Sequence, residues 1–394
     1  MTSAPPISPQ PTRLPGSLPV RLCGLDTLRA AAVVAVILYH LTIFGELPES
    51  ILPYTYFGFM GVDLFFVLSG FLIGQQLFRS YLPGSKPSIT GFYLRRAWRI
   101  LPAYLAVLAL YLFVPAWREA PNLAPSWKFL TFTMNFGFSF QQRAFSHAWS
   151  LCVEEHFYLL LPLLAALFLR KPSLRKTVSA IALITLSGIL LRAWLLVHFP
   201  DDVWPKIYYP TYTRLDGLLA GVSLALVSVF RPAWWKACMQ RGHTLLLSGT
   251  ACVGCVLWLL RDRNLGDDTG SAKWALIVGF PLLSIGLGLI TASSVSSNGL
   301  LARLRIPGAQ TLATLAFALY LTHKEVAHMA RTHLPQITAA QGPASWLLYA
   351  IVCLAAAFLL HWTVERPFLY LRDHKRQPVS KQEINKELQT DPAL

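Results

Sequence analysis

The sequence predicts an all-α, polytopic transmembrane bundle of about ten helices with both termini on the cytoplasmic side. Three observations carry this expectation. Of 394 residues, 54% are apolar and only 13% charged, with a mean hydropathy of +0.48, a balance foreign to an ordinary soluble two-domain protein. Apolar windows of about 20 residues, the length that crosses a bilayer as a helix, recur along the chain. The loops between them alternate in charge, as the preference of Lys and Arg for the cytoplasmic side requires.

Residues 1–20 are rich in Pro and Ser and have no apolar core. They read as a disordered cytoplasmic tail rather than a cleaved signal sequence. Apolar windows follow at 25–44, 56–78, 100–116, 149–169, 177–197, 211–229, 244–260, 274–292, 309–330 and 345–364. Arg13 and Arg21 precede the first window. The even-numbered windows are followed by Arg79, Lys86 and Arg95, by Arg170, Lys171, Arg175 and Lys176, by Arg231, Lys236 and Arg241, by Arg303 and Arg305, and by Lys375 and Arg376. The alternate loops carry Glu46 and Glu49, Arg118 with Glu119, Asp201 and Asp202, and Asp267 and Asp268. One membrane domain therefore spans 21–370, and 371–394 form a polar cytoplasmic tail. The net charge of +15 follows from this topology, because the basic residues are dispersed over short loops, and nucleic acid is not an expected partner.

Cys152, Cys238, Cys252, Cys255 and Cys353 fall in or beside apolar windows, so the six cysteines form no disulfide framework. Cys252 and Cys255 make a C-x-x-C without a second Cys/His pair nearby, which suits helix packing better than a metal. No metal is expected.

The chemistry lies in polar groups that interrupt the apolar windows. Arg29 and His40 are eleven residues apart on one helix, which brings their directions to within roughly 20° and separates them by roughly 16 Å along the axis. Ionisable groups inside a membrane are costly and point to function by default. By rise per residue, His40, Asp63, Glu154, Arg214, Asp216 and His323 all fall in the outer half of the bilayer, from five different helices. Arg29 marks the opposite end, where R-R-A-W-R at 95–99 stands just before the third window. Arg96 and Arg99, three apart, share a helix face and can clamp one polyphosphate with their guanidinium forks. Plainer roles stay open for several of these. Arg95 can simply fix topology, Asp63 can pair with an Arg in a packing run, Arg214 and Asp216 can pair or cap, and His323 can be structural. His147, Leu151, Glu154 and Tyr158 share a face that would line the outer end of the site. Glu365, Arg366 and Pro367 read as the end of the last helix.

The motifs resemble the membrane-bound acyltransferase-3 family, which includes O-antigen and exopolysaccharide O-acetylases and macrolide acyltransferases. The likeness is carried by L-D-T-L-R-A at 25–30 with His40 completing R-x10-H, and by G-V-D-L-F-F-V-L-S-G-F-L-I at 61–73. It continues through R-R-A-W-R-I-L-P at 95–102, W-S-L-C-V-E-E-H-F-Y at 149–158, R-L-D-G-L-L-A-G at 214–221, Y-L-T-H at 320–323 and E-R-P at 365–367. The resemblance implies transfer of an acyl group, usually acetyl, from cytoplasmic acyl-CoA to a hydroxyl of a sugar, polysaccharide or glycosylated small molecule. It places the protein in the inner, cytoplasmic membrane, without the extra C-terminal hydrolase-like domain that some members carry. On this basis Arg29, Arg96 and Arg99 bind the CoA phosphates. His40 serves as general base in preference to nucleophile, and Glu154 is its catalytic partner or an acceptor ligand. Asp63, Arg214, Asp216 and His323 bind substrate. His156 replaces the family's usual Gln and adds a titratable group near the site. No cofactor is bound permanently. The partners are acyl-CoA, a carbohydrate or glycosylated acceptor and the lipid bilayer, with a homo-oligomer left open. The competing class, a transporter of a small solute or acyl donor, predicts repeated halves with broken helices, and no convincing internal repeat is present.

Overall fold

The first helix, α1, covers Cys23–Ile43. The structure, a computed structural model, describes residues 22–85, 87–169, 173–260 and 271–374. The expected tails at 1–20 and beyond 374 lie outside the described residues, as do Lys86, Arg170, Lys171, Asp267 and Asp268. Ten further long helices follow: α2 Met60–Arg79, α3 Ile89–Phe113, α4 Trp149–Leu169, α5 Leu174–His198, α6 Asp216–Phe230, α7 Gly242–Leu259, α8 Ser271–Ser294, α9 Ala309–His333, α10 Pro343–Leu360 and α11 Arg366–His374. No strand occurs among the described residues, only an isolated bridge between Leu123 and Ala144.

Among the described residues, eight helices are long and apolar enough to cross a membrane, and a ninth span results if α6 is joined to Pro232–Met239 across a 112° bend. The expected windows at 211–229 and 309–330 are the two missing from the eight. The first of these contains α6, which is only 15 residues long. The second is α9, whose His323, Lys324, Glu325, His328 and Arg331 lower its hydropathy. That helix is enclosed by α1 and α10 and needs no apolar surface where it faces protein rather than lipid.

Two boundaries differ from expectation. Helix α3 begins eleven residues before its window, because Ser88 caps it by accepting a hydrogen bond from the Gly91 N–H at 3.0 Å. Arg95, Arg96 and Arg99 therefore ride on the helix rather than before it. The chain also does not end its last helix at Glu365–Pro367. A π-turn at His361–Glu365 leads directly into α11, and Pro367 falls in the first turn of α11, where a missing N–H costs nothing.

Small residues set the closest helix pair. A Cβ at Gly70 of α2 would collide with the Leu218 carbonyl of α6, and one at Gly221 of α6 with the Val67 carbonyl of α2. The two backbones thus touch in the small-residue manner of membrane helices, and Asp63 of α2 is carried to Arg214 just before α6. Gly70→Ala and Gly221→Ala are each expected to cost about 1–3 kcal/mol by overpacking, read as a lowered melting temperature in detergent.

The segment between α3 and α4 folds back onto the bundle. Phe145 has a left-handed φ of 56° and is fully buried, its ring stacked on Tyr111 at 4.4 Å and on Tyr104 at 5.8 Å. That anchor fixes His147 and Glu119 against α9.

Candidate functional site

At the end of the bundle where α1 begins, the five helices α1, α2, α3, α4 and α9 together with α11 enclose a cavity of about 420 Å³. Its cationic wall is Arg29 from α1, Arg95, Arg96 and Arg99 from α3, and Arg372 from α11, against a single carboxylate, Glu154 of α4. The Arg96 guanidinium lies over the Tyr158 ring at 4.2 Å, and Arg29 is 3.8 Å from Asp26 one turn earlier. Glu154 accepts from the Ser69 hydroxyl at 2.8 Å and the Tyr158 hydroxyl at 3.5 Å. Ser69 and Phe66 of α2 and Phe317 and Tyr320 of α9 complete the inner end. Such a wall suits a polyanion with an apolar extension.

At the far end of α1, His40 meets His323 of α9, Nδ1 to Nε2 at 2.8 Å. The hydrogen-bond pattern fixes both tautomers. His323 Nδ1 faces two carbonyls, Leu319 and Tyr320, each at 3.0 Å, so it must carry the proton. Nε2 of neutral His323 is then an acceptor, His40 Nδ1 donates to it, and the unprotonated nitrogen of His40 is Nε2. His40 thereby presents the lone pair that a base or nucleophile needs. The Phe44 ring stacks on His40 one turn further along, at 6.1 Å. A second pocket of about 30 Å³, room for about one water molecule, is lined by His40, Phe44, Glu46, His323 and Lys324 among others. In the adjoining loop, burial pushes the Glu46 carboxyl above the usual carboxylate range, against hydrogen bonding from Tyr349 and the charge of Arg331.

Charge around the histidines is arranged in pairs. Lys324 Nζ lies 2.7 Å from Glu119 and donates to Ser146 at 3.0 Å. Glu119 also accepts from the Tyr111 hydroxyl at 2.7 Å and the Phe145 N–H at 3.1 Å. Glu325 is fully buried, 3.7 Å from His147 Nε2, with neither carboxylate oxygen hydrogen-bonded. Ligand atoms of Glu119, His147 and Glu325 lie within 4.8 Å of one another and are the only metal-compatible group among the described residues. Of these three, Glu119 already answers Lys324.

A thin layer separates the two sites. The Tyr320 hydroxyl donates to the His147 carbonyl at 2.6 Å and meets the Ser150 hydroxyl at 2.6 Å. Tyr320 lines the arginine cavity, whereas His323, three residues later on α9, lines the histidine pocket.

The structure sorts the residues singled out in the sequence into three groups. Arg29, Arg96, Arg99 and Glu154 share the arginine cavity, and His40 and His323 share the histidine pocket. Glu154 is bonded to Ser69 and Tyr158, not to His40. Its hydrogen bonds go to Ser69 of α2 and to Tyr158 one turn along α4, and the side chain hydrogen-bonded to His40 is His323. Leu151 and Tyr158 follow Glu154 into the cavity, whereas His147, in the short 3-10 turn before α4, lies beside His323 at a ring separation of 5.3 Å. Asp63, Arg214 and Asp216 line neither pocket. Arg214 pairs with Asp63 at 2.9 Å, its guanidinium over the Phe280 ring at 3.8 Å. Asp216 pairs with Arg192 of α5 at 2.6 Å. His156 points elsewhere, bonded to Thr211 at 2.8 Å and stacked on Phe136 at 5.2 Å. Sequence reasoning missed Arg192, Lys324 and Arg372. A lone Arg inside the apolar window 177–197 was the available signal for the first.

A bundle of apolar spans around buried ionisable groups, with a cationic cavity at one end and paired imidazoles at the other, is the build of a multi-pass membrane enzyme. The family of the acyltransferase domain matches residues 24–362, and the chain belongs to that family. The O-acetyltransferase OatA of Staphylococcus aureus, from strains NCTC 8325 / PS 47, COL and MRSA252, is 28% identical to it over 319 residues, 77% of this chain and 50% of OatA. The chain thus spans about half the length of the curated relatives it matches. No solved structure matches it.

Proposed function

We propose that the protein is an O-acetyltransferase of the cytoplasmic membrane. It takes acetyl from acetyl-CoA held in the arginine cavity and gives it to a hydroxyl of a sugar, polysaccharide or glycosylated small molecule at the histidine end. The observation that carries this is the placement on one helix of Arg29 in a cavity walled by guanidinium groups and of His40, with Nε2 unprotonated, beyond its inner end. Their separation of roughly 16 Å is of the scale of an extended pantetheine arm. The name of OatA supports acetyl as the group transferred.

His40 Nε2 takes the proton of the acceptor hydroxyl as its oxygen attacks the thioester carbonyl. The C–S bond breaks, the ester forms, and the thiolate receives the proton from His40, so that acetyl-CoA and alcohol become ester and free thiol. The developing imidazolium keeps its Nδ1–H on His323. Transfer requires the thioester to pass the layer formed by Tyr320, Ser150 and His147, so this layer opens during turnover. Arg96 and Arg99 bind phosphate before and during transfer alike and contribute uniform binding.

Arg99→Ala is therefore expected to raise the KM for acetyl-CoA about tenfold or more, the worth of one charge-assisted hydrogen bond, with kcat nearly unchanged. The check is initial-rate measurement of thiol release in membranes that contain the acceptor. An unchanged KM in Arg99→Ala and Arg29→Ala would remove the donor from this cavity.

A further inference from the structure

Helix α11 falls beyond the matched residues 24–362, and it follows the π-turn at His361–Glu365 without a break. Phe368 packs on Trp98 of α3 with ring centroids 5.8 Å apart. Residues four apart share a helix face, so the contact that docks Phe368 also directs Arg372 to α3, and Arg372 lines the cavity with Arg95, Arg96 and Arg99. Arg372 is 25% exposed in its side chain. Its Nε and one terminal nitrogen hold the two carboxylate oxygens of Asp373 at 2.8 and 3.1 Å. A fork that takes a carboxylate side-on is shaped to take a phosphate the same way.

The cavity thus has phosphate-binding groups from separate elements. Arg96 lies deep, over Tyr158, with Arg29 and Arg99 along the same wall, whereas Arg372 enters from α11. A donor whose nucleotide carries a diphosphate and, apart from it, a ribose phosphomonoester presents two anionic groups of that kind. The monoester carries close to two negative charges at neutral pH, the larger local demand for a guanidinium.

Resting on the donor assignment above, we propose that α11 is part of the donor site and that Arg372 binds the 3′-phosphomonoester of the CoA nucleotide. An anionic lipid headgroup offers the same phosphate chemistry at this depth, and the test separates the two.

The experiment is calorimetric binding of CoA and of 3′-dephospho-CoA to the full chain in nanodiscs of phosphatidylcholine alone. Wild type, Arg372→Ala, Arg372→Lys and Arg99→Ala are compared. Wild type is expected to bind CoA at least tenfold more tightly than 3′-dephospho-CoA. In Arg372→Ala that preference falls to about twofold through weaker CoA binding, while affinity for 3′-dephospho-CoA stays at the wild-type value. Arg372→Lys recovers part of the preference, and Arg99→Ala weakens both ligands together. Retention of 3′-dephospho-CoA binding also shows that the variant is folded. Equal weakening of both ligands in Arg372→Ala overturns the proposal, as does an unchanged preference. An effect of Arg372→Ala that appears only when phosphatidylglycerol is added assigns the residue to lipid and equally overturns it. If CoA fails to bind wild type, or Arg99→Ala binds both ligands normally, it is the donor assignment that has failed.

Discussion

Replacing His40 with alanine is expected to abolish acetyl transfer, by a factor of about 10²–10⁴ for the loss of a positioned base, while the bundle stays folded. The expected structural cost is small because His40 lies at the end of α1, bounds a pocket of only about 30 Å³, and gives up a single hydrogen bond, to His323, worth about 1 kcal/mol. His323→Ala is expected to be milder, on the order of tenfold, because a base remains but nothing fixes which of its nitrogens is free or where it points. The two effects should not add in the double variant, since His323 acts through His40. Rates of thiol release from acetyl-CoA, with melting temperatures alongside, check all three. A full loss in His323→Ala with normal turnover in His40→Ala would invert the assignment.

Arg192→Ala is expected to be the most destabilising single change, by about 3–5 kcal/mol, because it strands a buried carboxylate. Asp216 lies at the start of α6, where a negative charge is favoured by the helix dipole. Its carboxylate receives both ends of the Arg192 fork, at 2.6 and 3.2 Å, and Arg192 also donates to the Thr213 and Ile277 carbonyls. Removing the cation breaks these bonds in a fully buried site. Loss of monodisperse protein on size exclusion in detergent is the expected readout. Asp216→Asn separates this structural role from acceptor binding. A lowered melting temperature at unchanged acceptor KM follows from the ion pair, whereas an unchanged melting temperature with a raised acceptor KM would return Asp216 to the substrate site.

Much of the fold was legible in the sequence because a bilayer imposes a single strong rule, that spans be long and apolar. The rule fails where a helix faces protein instead of lipid. Helix α9 is wrapped by α1 and α10 and carries His323, Lys324 and Glu325 in its middle, which hydropathy alone scores as polar. It also fails at boundaries set by local hydrogen bonds, as at Ser88, whose cap carries α3 back past three arginines. For the site, helical periodicity was enough to place Arg29 and His40 at opposite ends of one stripe, and Arg96 with Arg99 on one face. Depth arithmetic could not distinguish neighbours at equal depth. Glu154 and His40 were grouped on that ground, although rotation about α4 turns Glu154 to Ser69 and Tyr158. The ion pairs Asp63–Arg214 and Asp216–Arg192 require knowing which helices touch: the first follows the glycine contact of α2 with α6 and the second the packing of α6 on α5, and neither can be read from one helix alone. Arg372 was hidden by a composition change that marks a polar tail, while Phe368 four residues earlier docks that stretch on α3.

The central claim is that thioester cleavage at one end of α1 depends on an imidazole at the other. Its most direct test is thiol release from acetyl-CoA by vesicles from a strain lacking the native gene, which supply the acceptor, carrying either the wild-type chain or His40→Ala at equal abundance. The account predicts acetyl-CoA-dependent thiol release with matching incorporation of labelled acetyl into acceptor for wild type, and neither for His40→Ala. Equal thiol release from both, or movement of labelled donor across the vesicle membrane without thioester cleavage, would contradict it.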